Sequence, residues 1–164
     1  MCDILNNYCY NETTFNFPNN EIYTLFLGAI NNNLLLTFNP ILSNEILNTN
    51  KEIYNVEVIE KNNEELRIQI LFDTILTPPM KFYEKIFAIY NIKVTTLYYN
   101  LFQEYYGILI FSNNNIYCKE YDFPNSKKKL KKIQSKLFNE NYLLYDFMKD
   151  IFEDMYEDFD EDFS

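Results

Sequence analysis

The sequence predicts an α+β protein: a mostly antiparallel sheet with helices on one face, followed by a helical hairpin. Three observations carry this. Residues 66–121 read as strand, helix, strand, strand, strand. Residues 12–30 read as a strand and a capped helix. The charge pattern changes abruptly near residue 126. With 164 residues, 48% of them apolar, the chain can bury one real core and carry an appendage. We expect an α+β domain over 1–125 and a helical appendage with an acidic end over 126–164.

In the central stretch Leu66, Ile68 and Ile70 alternate with Arg67 and Gln69, the period-two pattern of a half-buried strand. Thr77-Pro78-Pro79 ends that strand and opens a helix, with Thr77 as the expected cap and proline tolerated in the first turn. Phe82, Tyr83, Ile86, Ile89 and Tyr90 then follow at helical spacing, and Asn91 is the expected stop. Residues 92–99 are rich in β-branched and aromatic types and read as a strand. A hairpin follows, 107–111 and 116–121, turned by an Asn run that tolerates left-handed backbone.

Upstream, Thr13, Phe15 and Phe17 alternate with Thr14 and Asn16, a strand ended by Pro18-Asn19-Asn20. Ile22, Leu25, Phe26, Ala29 and Ile30 lie at i, i+3, i+4, i+7 and i+8 of an amphipathic helix. A short strand at 34–38, a helical turn at 43–47 and a strand at 54–59 are expected next, the last joined to the central strand by a polar turn at 61–65. This order is close to a split β-α-β arrangement with extra strands, the ferredoxin-like plan.

The tail is divided by charge. Residues 126–138 carry six Lys and no acid, with Leu130, Ile133, Leu137 and Phe138 at helical spacing. Asn139 is the expected cap of a second helix, whose stripe is Leu144, Met148, Ile151, Phe152, Met155 and Phe159. From residue 140 onward there are ten acids and one Lys. This predicts an αα-hairpin.

Net charge is −10, which argues against general nucleic-acid binding, since that needs phosphate neutralisation. A basic partner fits better. Cys2, Cys9 and Cys118 have no CxxC spacing and there is no His, so neither a metal site nor a His-activated nucleophile is expected, and no cofactor. No apolar run reaches the length of a membrane span, and the thiols read as reduced, so we expect no membrane partner and a cytoplasmic location. The Asn11-Glu12-Thr13 sequon reads as coincidence.

Candidate sites are few. Asn7, Cys9 and Asn11 form either a binding site or a tie holding the N-terminal arm. Asp73 and Glu104 are possible acid–base partners, although 24 acids make chance pairs easy. Tyr98, Tyr99, Tyr105, Tyr106 and Tyr117 suit base stacking on a sheet, or core packing. Lys127, Lys128 and Lys131 suit an anionic partner, or a solvated helix face. Asp150, Glu153, Asp154, Glu157 and Asp158 suit a basic partner or nucleic-acid mimicry, or again a solvated face.

Asn7-Tyr8-Cys9-Tyr10-Asn11, then a strand and a capped helix, Phe38-Asn39-Pro40-Ile41, Thr74 to Pro79, and Tyr98 to Gly107 occur in that order. This resembles the YubB-type ferredoxin-like domains of bacteriophages and conjugative plasmids. The resemblance covers about residues 3–121. Tyr8 stands where that family has Trp, and the Trp-Gly segment before its central strand has no counterpart. The resemblance implies a fold and a mobile-element setting, and no activity that transfers to residues. The expected function is a non-enzymatic binding protein of a phage or mobile element. It would occupy a host protein with a basic surface, a defence protein among the candidates, in the host cytoplasm. The alternative is a nucleotide- or nucleic-acid-binding module using the sheet face or the Lys-rich helix.

Overall fold

The computed structural model describes residues 7–31, 53–112 and 115–157. The expected strand at 34–38 and the helical turn at 43–47 lie outside the described residues. The described residues form an α+β structure with six strands and four helices: β1 (Tyr8–Asn16), α1 (Asn20–Asn31), β2 (Ile53–Asn62), β3 (Arg67–Ile75), α2 (Met80–Tyr90), β4 (Lys93–Asn100), β5 (Tyr105–Ser112), β6 (Asn115–Asp122), α3 (Lys127–Glu140) and α4 (Tyr142–Glu157). The chain divides into two compact units, Met1–Glu120 and Tyr121–Ser164.

The strands make one sheet in the order β2-β3-β1-β4-β5-β6. β1 is central and antiparallel to β3 on one side and β4 on the other. β3 lies between β1 and β2, and β1 lies between β3 and β4, so the two helix-bearing connections interleave. The register places Cys9, Asn11, Thr13 and Phe15 on one face, in line with Ile68, Ile70, Phe72 and Thr74 of β3. Phe15 touches both Phe26 of α1, at 4.8 Å between ring centroids, and Tyr83 of α2, at 6.2 Å. One side chain reaches one face of a sheet, so both helices cover that face. Around it a largely aromatic core closes, with Phe17, Phe72, Phe82 and Phe111 buried. Full burial of each such ring is worth about 1.5–3 kcal/mol.

Local signals account for most element ends. Asn19 accepts the Ile22 N–H at 3.0 Å and caps α1. Asn91 ends α2 in the left-handed region at φ 54°, its N–H returning to the Ile86 and Phe87 carbonyls. The cap position of α2 is Pro79 rather than the expected Thr77: α2 starts at Met80 with no side-chain cap, and the Thr77 carbonyl accepts the Thr74 hydroxyl at 2.9 Å. The predicted helical stripes are rotated. In α1 Leu25 is 58% exposed, while Tyr23 is buried and its hydroxyl donates to Asn63 at 2.5 Å. In α2 Ile89 is 52% exposed, and Phe87 instead packs on Phe111. β1 is longer than the apolar pattern suggests, since Tyr8 to Asn11 also pair with β3.

The outer strand β2 is irregular, with register shifts near residues 55–56 and 59 and Asn55 at φ 53°. Such breaks blunt an exposed sheet edge. Within β5, opposite Tyr98 of β4, Gly107 is a steric necessity. A Cβ there would stand 2.6 Å from the Tyr98 hydroxyl and 2.7 Å from the Lys119 carbonyl.

The second unit contains an αα pair, α3 and α4 packed together. Ser126 caps α3, accepting the Lys129 N–H at 3.3 Å. The cap of α4 is Asn141, which accepts the Leu144 N–H at 3.2 Å; Asn139 instead bonds back to the Ser135 carbonyl. Leu130, Leu137, Leu144, Met148 and Phe152 are buried, and Phe152 meets Phe123 edge-on at 6.1 Å. Phe138, expected inside, is 55% exposed and forms an aromatic cluster with Tyr142 and Tyr145 at the turn.

The two glycines should respond oppositely to alanine. Gly107→Ala should destabilise the fold by about 1–3 kcal/mol through overpacking. Gly28→Ala, in the middle of α1 where a Cβ meets nothing within 4 Å, should stabilise it by about 0.5–1 kcal/mol. Urea unfolding of both variants checks this.

Candidate functional site

The first candidate, Asn7, Cys9 and Asn11, lies at the end of β1 beside the loop from β3 to α2. Asn11 is 2% exposed. Its amide donates to the Cys9 carbonyl at 2.8 Å, the Thr74 hydroxyl at 3.0 Å and the Phe72 carbonyl at 3.3 Å. The Cys9 thiol points at Asn11 Oδ1 from 4.0 Å. The Asn7 carbonyl accepts the Leu76 N–H at 2.9 Å. The Leu76 carbonyl in turn accepts Asn100 Nδ2 at 3.0 Å and the Tyr105 hydroxyl. The Asn11 amide is thus spent on the chain's own groups, which makes this cluster a strap across the loop. It also withdraws the Asn11 sequon from solvent.

A second buried polar group sits under α2. Thr13 Oγ1 lies 2.6 Å from Thr96 Oγ1 and 2.9 Å from the Tyr83 hydroxyl. Burial pushes the Tyr83 phenol well above its ordinary range. Burial does the same to Tyr98, reinforced by Cys118 and Glu120, and to Tyr105, reinforced by Cys9. The Tyr98 hydroxyl crosses over Gly107 to reach Glu120 at 3.3 Å and Cys118 at 3.9 Å.

The five sequence-predicted tyrosines are therefore not one stacking platform. Tyr98 and Tyr105 lie on the helix-covered face, paired with Gly107 and Asn100. Tyr99 and Tyr106 are opposite one another on the other face, where Tyr106 is buried, and Tyr117 is exposed on β6. Nor do the two candidate carboxylates meet. Asp73 accepts Asn55 Nδ2 at 2.7 Å, whereas Glu104 is exposed in the β4–β5 turn at φ 55°.

Sequence reading missed Tyr10. It stacks on Tyr99 across β1 and β4, with ring centroids 4.7 Å apart and 17° between planes. Tyr8 meets Tyr54 edge-on at 5.6 Å. Burial raises the Tyr99 phenol to about 12, helped by Tyr10 and the charge on Asp73. On the same face Glu12 accepts Gln69 Nε2 at 2.6 Å, and Arg67 is paired to Glu60 at 2.6 Å and Glu65 at 3.4 Å. No sequence signal joins Tyr10 to Tyr99, because their meeting depends on strand register.

In the second unit Lys128 and Lys131 are exposed on α3, and Asp150, Glu153 and Asp154 are exposed on α4. Asp158 lies outside the described residues, as do the side chains of Lys127 and Glu157. Among the described residues no group of three or more Cys, Asp or Glu is placed to hold a metal ion, and no helix is long and apolar enough to cross a membrane. No protein-family model, curated protein or solved structure matches the chain.

Two measurements test the buried groups. Cys9→Ser should cost about 1–3 kcal/mol in denaturant unfolding, because it places a stronger hydrogen-bonding group at a fully buried position. The tyrosines give a pH dependence. A phenol whose pKa is raised in the folded state favours the fold while it stays protonated. That stability is complete below the ordinary value of 10 and is lost as pH rises through about 12 for Tyr99. Phenolate absorbance should therefore show a fraction of the tyrosines ionising only above the ordinary range, with alkaline unfolding releasing them together.

Proposed function

We propose that this protein is a non-enzymatic binding protein whose partner presents a basic surface. The observation that carries this reading is the two-sidedness of α4: Leu144, Met148 and Phe152 are buried, while Asp146, Asp150, Glu153 and Asp154 are exposed on its other side. Acids at this spacing lie along one helical flank. Exposed charges are screened over about 8 Å at physiological salt. Their contribution is to steer an oppositely charged partner and raise the association rate.

The strand order β2-β3-β1-β4, with its interleaved helical connections, supports a ferredoxin-like plan extended by β5 and β6. The strap built from Asn7, Cys9, Asn11 and Thr74 uses residues on which the YubB-type resemblance rests. On that reading the protein serves a phage or mobile element and occupies a host protein, in keeping with an anti-defence role in the host cytoplasm. The Lys-rich α3 offers nucleic acid a smaller foothold, since the chain as a whole carries −10.

The test uses the intact chain as bait in a bacterial host lysate. A basic host protein should be retained and should elute as salt rises. Exchanging Asp150, Glu153, Asp154, Glu157 and Asp158 for Asn or Gln should slow association with that protein, with the circular dichroism spectrum unchanged. An association rate that ignores both salt and these five substitutions would refute the reading.

A further inference from the structure

The strand register assembles a second recognition element on the sheet face opposite α1 and α2. Tyr54 of β2 stands opposite Asp73 of β3, Asp73 opposite Tyr10 of β1, and Tyr10 opposite Tyr99 of β4. Four side chains from four strands thus form one row across the sheet, on a single face. Directly opposed side chains stand about 5 Å apart at Cβ, so each touches its neighbour's space. Tyr8, on the same face, lies edge-on to Tyr54 and extends the aromatic surface. Tyr10 is 38% exposed, and the row is open to solvent there.

We infer that the Tyr54–Asp73–Tyr10–Tyr99 row is a cation-recognition subsite that takes an arginine side chain of the partner protein. The inference rests on the proposed basic partner and assigns a second contact for it. The chemistry is complementary. Aromatic rings attract a guanidinium plane, and a carboxylate between them supplies the counter-charge and accepts its N–H groups. Asp73 Oδ2 is held by Asn55 at 2.7 Å, and Oδ1 has no hydrogen bond among the described residues. Asp73 is therefore oriented and retains acceptor capacity. The surrounding face adds negative charge. Glu12 and Glu57 flank the row, opposite Leu71 of β3, while the cation on this face of β3, Arg67, is already matched by Glu60 and Glu65. A flat guanidinium suits this row better than an ammonium, because it can stack and donate at once.

The test titrates the intact protein with a capped peptide carrying a single arginine, and with the same peptide carrying citrulline, which keeps the shape and loses the charge. Nuclear magnetic resonance follows the Tyr10 and Tyr99 ring signals. The arginine peptide should shift those signals and the citrulline peptide should not. Asp73→Asn and Tyr10→Leu should each weaken binding about 3- to 30-fold, the range expected of one such contact. Asp73→Asn is nearly isosteric, so it keeps the test valid if Tyr10→Leu disturbs the sheet. Neutralising the α4 acids should leave the ring shifts intact. Equal binding of the citrulline peptide, unchanged affinity in both sheet variants, or shifts confined to α4 would overturn the subsite. The last result would leave the basic-partner reading standing.

Discussion

The two-sided pairing of β1 is the constraint on which the rest of the first unit depends. A strand paired on both edges offers no backbone groups to water, and its helix-facing side chains are sealed as well. Along β1 those side chains are Cys9, Asn11, Thr13 and Phe15, three of them polar or weakly so. A buried polar group left unpaired costs about 1–3 kcal/mol. The Asn11 amide and the Thr13 hydroxyl are therefore matched from a neighbouring strand or helix, Asn11 by Thr74 and Thr13 by Thr96 and Tyr83. These bonds have fixed geometry, so they select one register for β3 and β4, where an all-apolar face would permit slippage. Phe15 then sets the positions of α1 and α2 by filling the space between them.

That arrangement leaves the chemistry of the two sheet faces unlike. On the helix side, polar groups are consumed by the chain itself, and the phenols of Tyr83 and Tyr105 are held protonated by burial. On the other side Tyr106 is buried, but Tyr10, Glu12 and Asp73 retain contact with solvent. The proposed function rests on the acidic flank of α4, and the inferred arginine subsite on this asymmetry. Groups with bonding capacity to spare can recognise a partner, and groups already satisfied cannot.

Some residues sit between these roles. Tyr98 is buried, yet its hydroxyl emerges beyond Gly107 beside Cys118 and Glu120. Glycine is required at 107 for a steric reason rather than a conformational one, since its φ is not positive. The aromatic ring lying across it fills the space that a side chain would have taken. This brings β4, β5 and β6 into close contact at one point.

What the sequence determined by itself was local. Alternation of Thr13, Phe15 and Phe17, the Asn19 cap and the Asn91 stop each act within a few residues, where backbone preference and nearest hydrogen bonds decide. The α+β class followed from their order. The tertiary structure decided which flank of each amphipathic helix faces inward, as Leu25 against Tyr23 and Ile89 against Phe87 show. A helical stripe is broad, and only the packed neighbour selects its centre. It also decided every contact across the sheet. Asn11 and Thr74 are 63 residues apart in sequence, and Thr13 and Thr96 are 83 apart. The row containing Tyr10, Asp73 and Tyr99 has the same origin. Strand register arises from the summed packing of a whole face, and no local pattern in the chain encodes it.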